Sequence, residues 1–281
     1  MKQVRPKKNL GQHFLVDLNI AKRIADTVDD PFPELPVLEV GPGMGMMTQF
    51  LVEKPRPLRV VEIDRESVAY LKGTLFRGER KEERGERKEN SSLEERGEDT
   101  IIEGDFLRMD LAEVFEGQQF VLTGNYPYDI SSQIFFKMLD NKELIPCCTG
   151  MIQHEVALRM AAKPGNKQYG ILSVLIQAWY NVEYLFTVEP GVFNPPPKVQ
   201  SAVIRMTRNG VTDLGCDWQL FRSVVKAAFG QRRKMLRVSL RQIVPAENLS
   251  CISDSQFATL RPEQLTIPQF VELTNLVASL L

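Results

Sequence analysis

Histidine occurs only twice in the 281 residues, and the four cysteines (Cys147, Cys148, Cys216 and Cys251) have neither metal-ligand nor disulfide-framework spacing. That scarcity argues against a zinc site or a Cys–His nucleophile pair, and no metal is expected. No run of 18 or more apolar residues is present, so neither a membrane-spanning helix nor a membrane partner is expected. The basic opening, MKQVRPKKNLGQHFL, has no apolar stretch of signal-peptide length, which gives a cytoplasmic expectation. Net charge is also lacking. The 35 Lys and Arg nearly balance the 36 Asp and Glu, and that balance alone does not suggest a nucleic-acid partner.

The average conceals an asymmetry. Residues 1–23 carry six Lys or Arg against one Asp, and residues 220–242 carry seven and no acid. Basic segments of this kind suit phosphate contacts, although solvated surface would explain them equally well on charge alone. Residues 77–90 are a near-perfect repeat, RGERKEE followed by RGERKEN. Across 77–99 there are seven positive and nine negative charges and a single Leu, too little apolar surface to offset chain ordering. Disorder or a fraying solvated helix is expected there.

Elsewhere short β-branched runs alternate with helical patterns. VLEVG (37–41), LRVVEI (58–63), TIIEG (100–104), FVLTG (120–124) and CTGMIQ (148–153) read as buried strands, and VEYLFTV (182–188) and SAVIRM (201–206) follow. ILSVLIQAWY (171–180) reads as a helix, with Trp179 and Tyr180 in its core face. Strand–helix alternation implies an α/β fold with a mostly parallel sheet covered on both faces. After Arg208 the pattern is helical. The expected domains are 1–207, with 77–99 as a charged insertion, and a small helical 208–281.

VLEVGPGMG places Gly41, Gly43 and Gly45 directly after a buried strand, where the backbone can turn tightly and approach a ligand. Glu62, which ends the next strand, suits a ribose; Asp64 competes for that role. Asp105, in EGDF after the third strand, suits an adenine amino group, or simply caps a turn. Met46 stands where a dinucleotide fingerprint would have its third glycine. An adenosyl ligand without pyrophosphate, such as S-adenosylmethionine, fits better than NAD.

Asn125 and Tyr128 lie in NYPY, after the fourth strand. An adenine amine is a poor nucleophile because its lone pair is delocalised into the ring. Acceptors aimed at its N–H bonds draw the nitrogen toward tetrahedral geometry; the Asn125 side chain and the Tyr126 carbonyl can serve. Pro127 fixes φ and offers no competing N–H. Tyr128 gives a face for stacking.

KKNLGQHFL (7–15), EVGPGMG (39–45), VEID (61–64), GDFL (104–107), NYPYDISS (125–132), FNPPPKVQSAV (193–203) and FGQRRKMLRVSL (229–240) together resemble the small-subunit ribosomal RNA adenine dimethyltransferases. The resemblance implies a Rossmann-like class I methyltransferase with a seven-stranded sheet and a helical C-terminal domain. It implies S-adenosylmethionine as methyl donor and dimethylation of N6 on two adjacent adenosines near the 3′ end of 16S rRNA, in the 30S subunit or its precursor, by a monomer. Carried over by position, His13, Leu15, Gly41, Glu62, Asp105 and Asn125 would hold the donor. Asn125, Tyr128 and Phe193 would hold the target, with the base sandwiched between the Tyr128 and Phe193 rings. Arg232, Arg233, Lys234 and Arg237 would contact RNA phosphates. A second enzyme reading is the related large-subunit enzyme, and a reading from a different class is an assembly factor that only binds immature subunits.

Overall fold

The structure, a computed structural model, describes residue 7, residues 13–75 and residues 100–281. The expected disorder of 77–99 lies outside the described residues.

Strand β2 (Val37–Val40) is the third strand of a seven-stranded sheet. To one side lie β3 (Leu58–Glu62) and β4 (Ile101–Glu103). To the other lie β5 (Val121–Gly124), β6 (Cys147–Gln153), β9 (Ser201–Arg208) and β7 (Tyr180–Val188), in that order. The ladders joining β4, β3, β2, β5 and β6 are parallel. All four residues of β2 and of β5 are buried, as expected for strands covered on both faces. The chain builds outward from β2 in one direction through β3 and β4, then crosses back to begin β5 on the other side. Such a reversal opens a crevice at the carboxyl ends of the strands. The register makes that edge level: Val40 is opposite both Val61 and Gly124. Gly41, Glu62 and Asn125 therefore leave their strands side by side.

Helix α1 (Leu18–Asp26) starts where Asp17 Oδ1 accepts the N–H groups of Asn19 and Ile20, at 2.9 and 3.0 Å. Its apolar face, Ala21, Ile24 and Ala25, packs with Val37, Leu51, Val121, Met151, Phe193 and Val203 into one core. Each large side chain buried there contributes ~1.5–3 kcal/mol. After the glycine turn comes α2 (Thr48–Leu51), one turn long; α3 (Arg65–Thr74) and α4 (Ser131–Asp140) follow β3 and β5. A second, two-stranded antiparallel ladder pairs β1 (Phe14–Leu15) with β8 (Phe193–Asn194), Leu15 opposite Phe193.

The chain divides into two compact units, Met1–His154 with Tyr184–Met206, and Glu155–Glu183 with Thr207–Leu281. One division falls at 206/207, but 155–183 groups with the C-terminal residues rather than with the sheet-bearing ones. The reason is apolar packing within the second unit. Helix α5 (His154–Ala161) leads to α6 (Ile171–Gln177), which packs on α7 (Trp218–Gly230). Tyr169 meets Phe229 and Trp179 meets Trp218, with ring centroids 6.1 and 5.6 Å apart. Helix α6 ends at Gln177, so Trp179 lies beyond it and Tyr180 begins β7; both are buried. Helices α8 (Leu236–Ser239), α9 (Leu249–Ser253) and α10 (Ile267–Ala278) complete this unit.

Candidate functional site

A cavity of about 280 Å³ lies at the carboxyl edge of β2, β3, β4 and β5. It gathers His13, Leu15, Gly41, Glu62, Asp105, Asn125 and Tyr128, residues that the sequence singled out from five separate segments. Met44, Met46 and Met47 pad its wall. The glycine turn is sterically enforced at Gly45: its φ is +78°, and a Cβ there would stand 2.3 Å from Leu75 Cδ1.

Glu62 is 4% exposed and orders the turn. Its Oε2 accepts the Gly43 N–H at 3.0 Å and its Oε1 accepts the Asp64 N–H at 2.9 Å. Burial still raises its pKa against those two hydrogen bonds. Asp64 does not line the cavity. It caps α3 by accepting from Glu66 N and Ser67 Oγ, and it pairs with Lys7 at 2.6 Å. Of the two, Glu62 is therefore the acid that lines the cavity. Asp105 does two things at once: Oδ1 accepts the Leu107 N–H at 2.9 Å, and the residue lines the cavity.

Sequence reasoning missed two residues here. Ile63 is 54% exposed at the end of β3 and presents an apolar surface to the cavity. Only its position beside Glu62 could have signalled that. The second is Glu39, the third residue of β2. It is 1% exposed, accepts from Thr48 Oγ1 at 2.7 Å, and burial followed by the charge of Glu62 pushes its pKa up to about 8. A charged residue in the middle of a buried strand was the available signal. Among the described residues, the cavity lining includes Glu39, Glu62, Asp105 and Asp129 and no Lys or Arg. With Glu39 held neutral by its raised pKa, the remaining acids and the absence of a cation still disfavour a pyrophosphate and suit a cationic ligand with hydroxyl and amino groups, which S-adenosylmethionine is and NAD is not. Among the described residues, no group of three His, Cys, Asp or Glu side chains is placed to hold a metal ion.

The NYPY segment leaves β5 beside β6. Asn125 bridges Met151, and the Tyr126 N–H donates to Met151 O at 3.0 Å. A side-chain amide nitrogen of Asn125 lies 3.2 Å from His13 O. A carbonyl can only accept, so Nδ2 is spent there and Oδ1 remains the available acceptor. Tyr126 contributes more than the backbone expected of it. Its ring is buried edge-on to Phe135, and its hydroxyl donates to Thr149 O at 2.9 Å with Cys148 Sγ at 3.2 Å. Gly150 makes room for that ring: a Cβ there would come within 2.7 Å of Tyr126 Cε2. Tyr128 is half-buried, with its hydroxyl 2.5 Å from Ser201 Oγ. The His13 ring is stacked on it, centroids 5.7 Å apart at 30°. His13 Nδ1 in turn lies 2.9 Å from Pro195 O and so carries the proton.

Phe193 is the site residue that the structure does not bring to the cavity. It is 4% exposed, sits in the core beside Leu15, and is absent from the cavity wall. The β1–β8 register turns its ring inward, where burial of so large an apolar group is favourable. The ring that meets Tyr128 is His13, so the expected Tyr128–Phe193 sandwich is not formed here.

Arg232, Arg233, Lys234 and Arg237 belong to the second unit, in the turn after α7 and at the start of α8. Arg233, Lys234 and Arg237 are exposed, while Arg232 is half-buried with Nη2 donating to Asn166 O at 3.3 Å. No helix among the described residues is long and apolar enough to cross a membrane.

Residues 3–278 match the family model described as ribosomal RNA adenine dimethylase. A Bacteroides fragilis protein named ribosomal RNA small subunit methyltransferase A is 62% identical over 277 residues, covering 99% of this chain and 94% of its own length. A Porphyromonas gingivalis protein of the same name is 55% identical over 278 residues, covering 99% of both chains. Among solved structures, a dimethyladenosine transferase from Plasmodium falciparum superposes with a TM-score of 0.72 at 22% identity, covering 93% of this chain and 96% of that one. The 23S rRNA methyltransferase ErmE superposes at 0.60 and 25% identity, covering 94% and 99%.

Proposed function

The chain belongs to the ribosomal RNA adenine dimethylase family and is an S-adenosylmethionine-dependent rRNA adenine dimethyltransferase, and we propose residue roles and a substrate particle for it. The donor supplies a methyl group on an electrophilic sulfonium sulfur. Glu62 accepts the ribose hydroxyls and Asp105 the adenine amino group, with Ile63 as the apolar surface beneath the base. Glu39, Gly41, His13 and Leu15 complete the enclosure. The acidic lining favours the cationic donor over its neutral product, which helps the product leave.

One observation carries the target-amine reading. With Nδ2 of Asn125 donated to His13 O, its Oδ1 is an acceptor held at the edge of the donor cavity. Asn125 Oδ1 and the Tyr126 carbonyl take the two N–H bonds of an adenine amine and expose its lone pair. Tyr128 stacks on the base, an interaction worth ~1–3 kcal/mol. No general base is required: the amine becomes cationic on methylation and loses its proton to water. Alignment is the main contribution, and it can supply roughly 7–11 kcal/mol.

The assigned substrate is N6 of two adjacent adenosines near the 3′ end of 16S rRNA, in the 30S subunit or its precursor. The enzyme acts in the cytoplasm as a monomer. Arg233, Lys234 and Arg237 contact phosphates, with Arg232 beside them. The likeness to ErmE is the observation that favours 23S rRNA as a second reading. Labelled methyl transfer to unmethylated 30S and 50S particles, with the dimethyladenosine mapped, separates the two. Label confined to the 16S 3′ end is expected; label in 23S rRNA overturns the assignment. Asn125→Ala should abolish transfer while calorimetry still detects donor binding.

A further inference from the structure

Ser201 opens β9, at the end of the FNPPPKVQS stretch, and is fully buried. Its hydroxyl lies 2.5 Å from the Tyr128 hydroxyl, across 73 residues of sequence. The backbone that carries it is fixed on its N-terminal side: Gln200 O accepts the His154 N–H at 3.0 Å, and Gln200 Nε2 donates to Glu189 at 2.8 Å. On its C-terminal side Ala202 and Val203 are fully buried. Ser201 is therefore a rigid post rather than a mobile surface hydroxyl. The Tyr128 ring stacks with the His13 ring, and Tyr128 also lines the cavity. A phenol on a loop has two side-chain torsions. Fixing its far end fixes both, and with them the plane that the ring offers to a base.

We propose that Ser201 is a positioning residue for the target base, holding the Tyr128 hydroxyl so that the phenol plane is preset for stacking on the adenine engaged by Asn125. The FNPPPKVQS segment then acts on the target through its last residue, while its first residue, Phe193, packs in the core. Burial raises the pKa of the Tyr128 hydroxyl, which keeps it neutral and able to share a proton with Ser201. The inference rests on the assignment of Asn125 and Tyr128 to the target amine.

The test uses the full-length chain and unmethylated 30S particles, with four proteins: wild type, Ser201→Ala, Tyr128→Phe and the double variant. Ser201→Ala should lower kcat about five- to tenfold, the effect of one neutral hydrogen bond. KM for the particle, the donor Kd and the melting temperature should stay near wild-type values. The double variant should be no slower than Tyr128→Phe alone, because both remove the same contact. Multiplicative losses would show that Ser201 acts elsewhere and would overturn the proposal; so would a wild-type kcat for Ser201→Ala. If Ser201→Ala melts below the assay temperature, Ser201→Cys keeps the volume with a much weaker hydrogen bond and must show the same non-additivity. A short RNA with 2-aminopurine at the target position gives an independent reading: Ser201→Ala should reduce its quenching by Tyr128, and unchanged quenching counts against the idea. Should Asn125→Ala and Tyr128→Ala both retain full activity, the target-site assignment itself fails. Should those two be inactive while Ser201→Ala is unaffected, only the present inference fails.

Discussion

Replacing Glu39 with glutamine probes the electrostatics of the donor cavity directly. Glu39 is 1% exposed, and its titration is moved from 4.5 up to about 8, first by burial and then by the charge of Glu62. Between those values the folded chain holds a proton that the unfolded chain has already released. Stability is therefore greatest below the lower value and falls as pH rises through the window, at ~1.4 kcal/mol per pH unit. The total loss approaches roughly 5 kcal/mol before levelling off above the folded value. Glutamine keeps the shape and an acceptor for the Thr48 hydroxyl but has no proton to lose. The stability of Glu39→Gln relative to wild type should thus grow by about 3–4 kcal/mol between pH 5 and pH 8. Urea unfolding of both proteins at half-unit pH intervals measures this, and the difference cancels every titration the two share. Glu62 is not fully shared: without its neighbour's charge it ionises more readily in the variant, which adds to the gain at high pH. A difference that stays flat within about 1 kcal/mol would mean that Glu39 is ionised in the native chain at neutral pH. The picture of a cavity wall that keeps one of its acids protonated and neutral at pH 7 would then be wrong.

Phe193→Ala should destabilise the fold by ~3–5 kcal/mol, seen as a lower urea midpoint. A loss of kcat with unchanged stability would instead make Phe193 a stacking ring. Tyr126→Phe strands the Thr149 carbonyl and should cost ~1–3 kcal/mol in unfolding experiments, with a lower kcat and unchanged donor Kd; an unaffected kcat would confine the hydroxyl to a stability role. Arg233→Ala and Lys234→Ala should each weaken binding to 30S particles and reduce the salt slope of log affinity by about 1. A slope identical to wild type would remove these residues from the RNA surface.

The parallel sheet was legible because its central strands are short apolar runs bounded by Gly or Pro and alternate with helical patterns. Gly41, Glu62, Asp105 and Asn125 converge because each stands at a strand's carboxyl end, which a strand assignment already locates. Placing Phe193 failed for a matching reason. Strands β1 and β8 are two residues each and carry no periodicity, so nothing local revealed that their pairing turns the ring inward. The grouping of 155–183 with the C-terminal unit was equally hidden, because a crossover helix looks the same whichever layer it packs against. Ser201 was invisible for a third reason: a buried serine at a strand start has many uses, and only a contact across 73 residues identifies this one.

The segments that form the target side of the cavity are bound in a chain of hydrogen bonds rather than merely clustered. Asn125 Nδ2 donates to His13 O across 112 residues, and His13 Nδ1 donates to Pro195 O across 182. Leu15 pairs with Phe193, and Ser201 returns the chain to Tyr128. The N-terminal arm is thus the middle member: it orients the acceptor amide of Asn125 with its backbone and holds the 193–201 segment with its imidazole. On the proposed roles, a residue that encloses the donor therefore also sets which end of Asn125 faces the target. Groups that share one hydrogen-bonded network respond together, so a change at His13 must reach both the Asn125 amide and the segment that holds the Tyr128 hydroxyl. On the proposed roles, donor enclosure and target presentation are then two outputs of one structure, and the short β1–β8 ladder, negligible as a sheet, is what joins them.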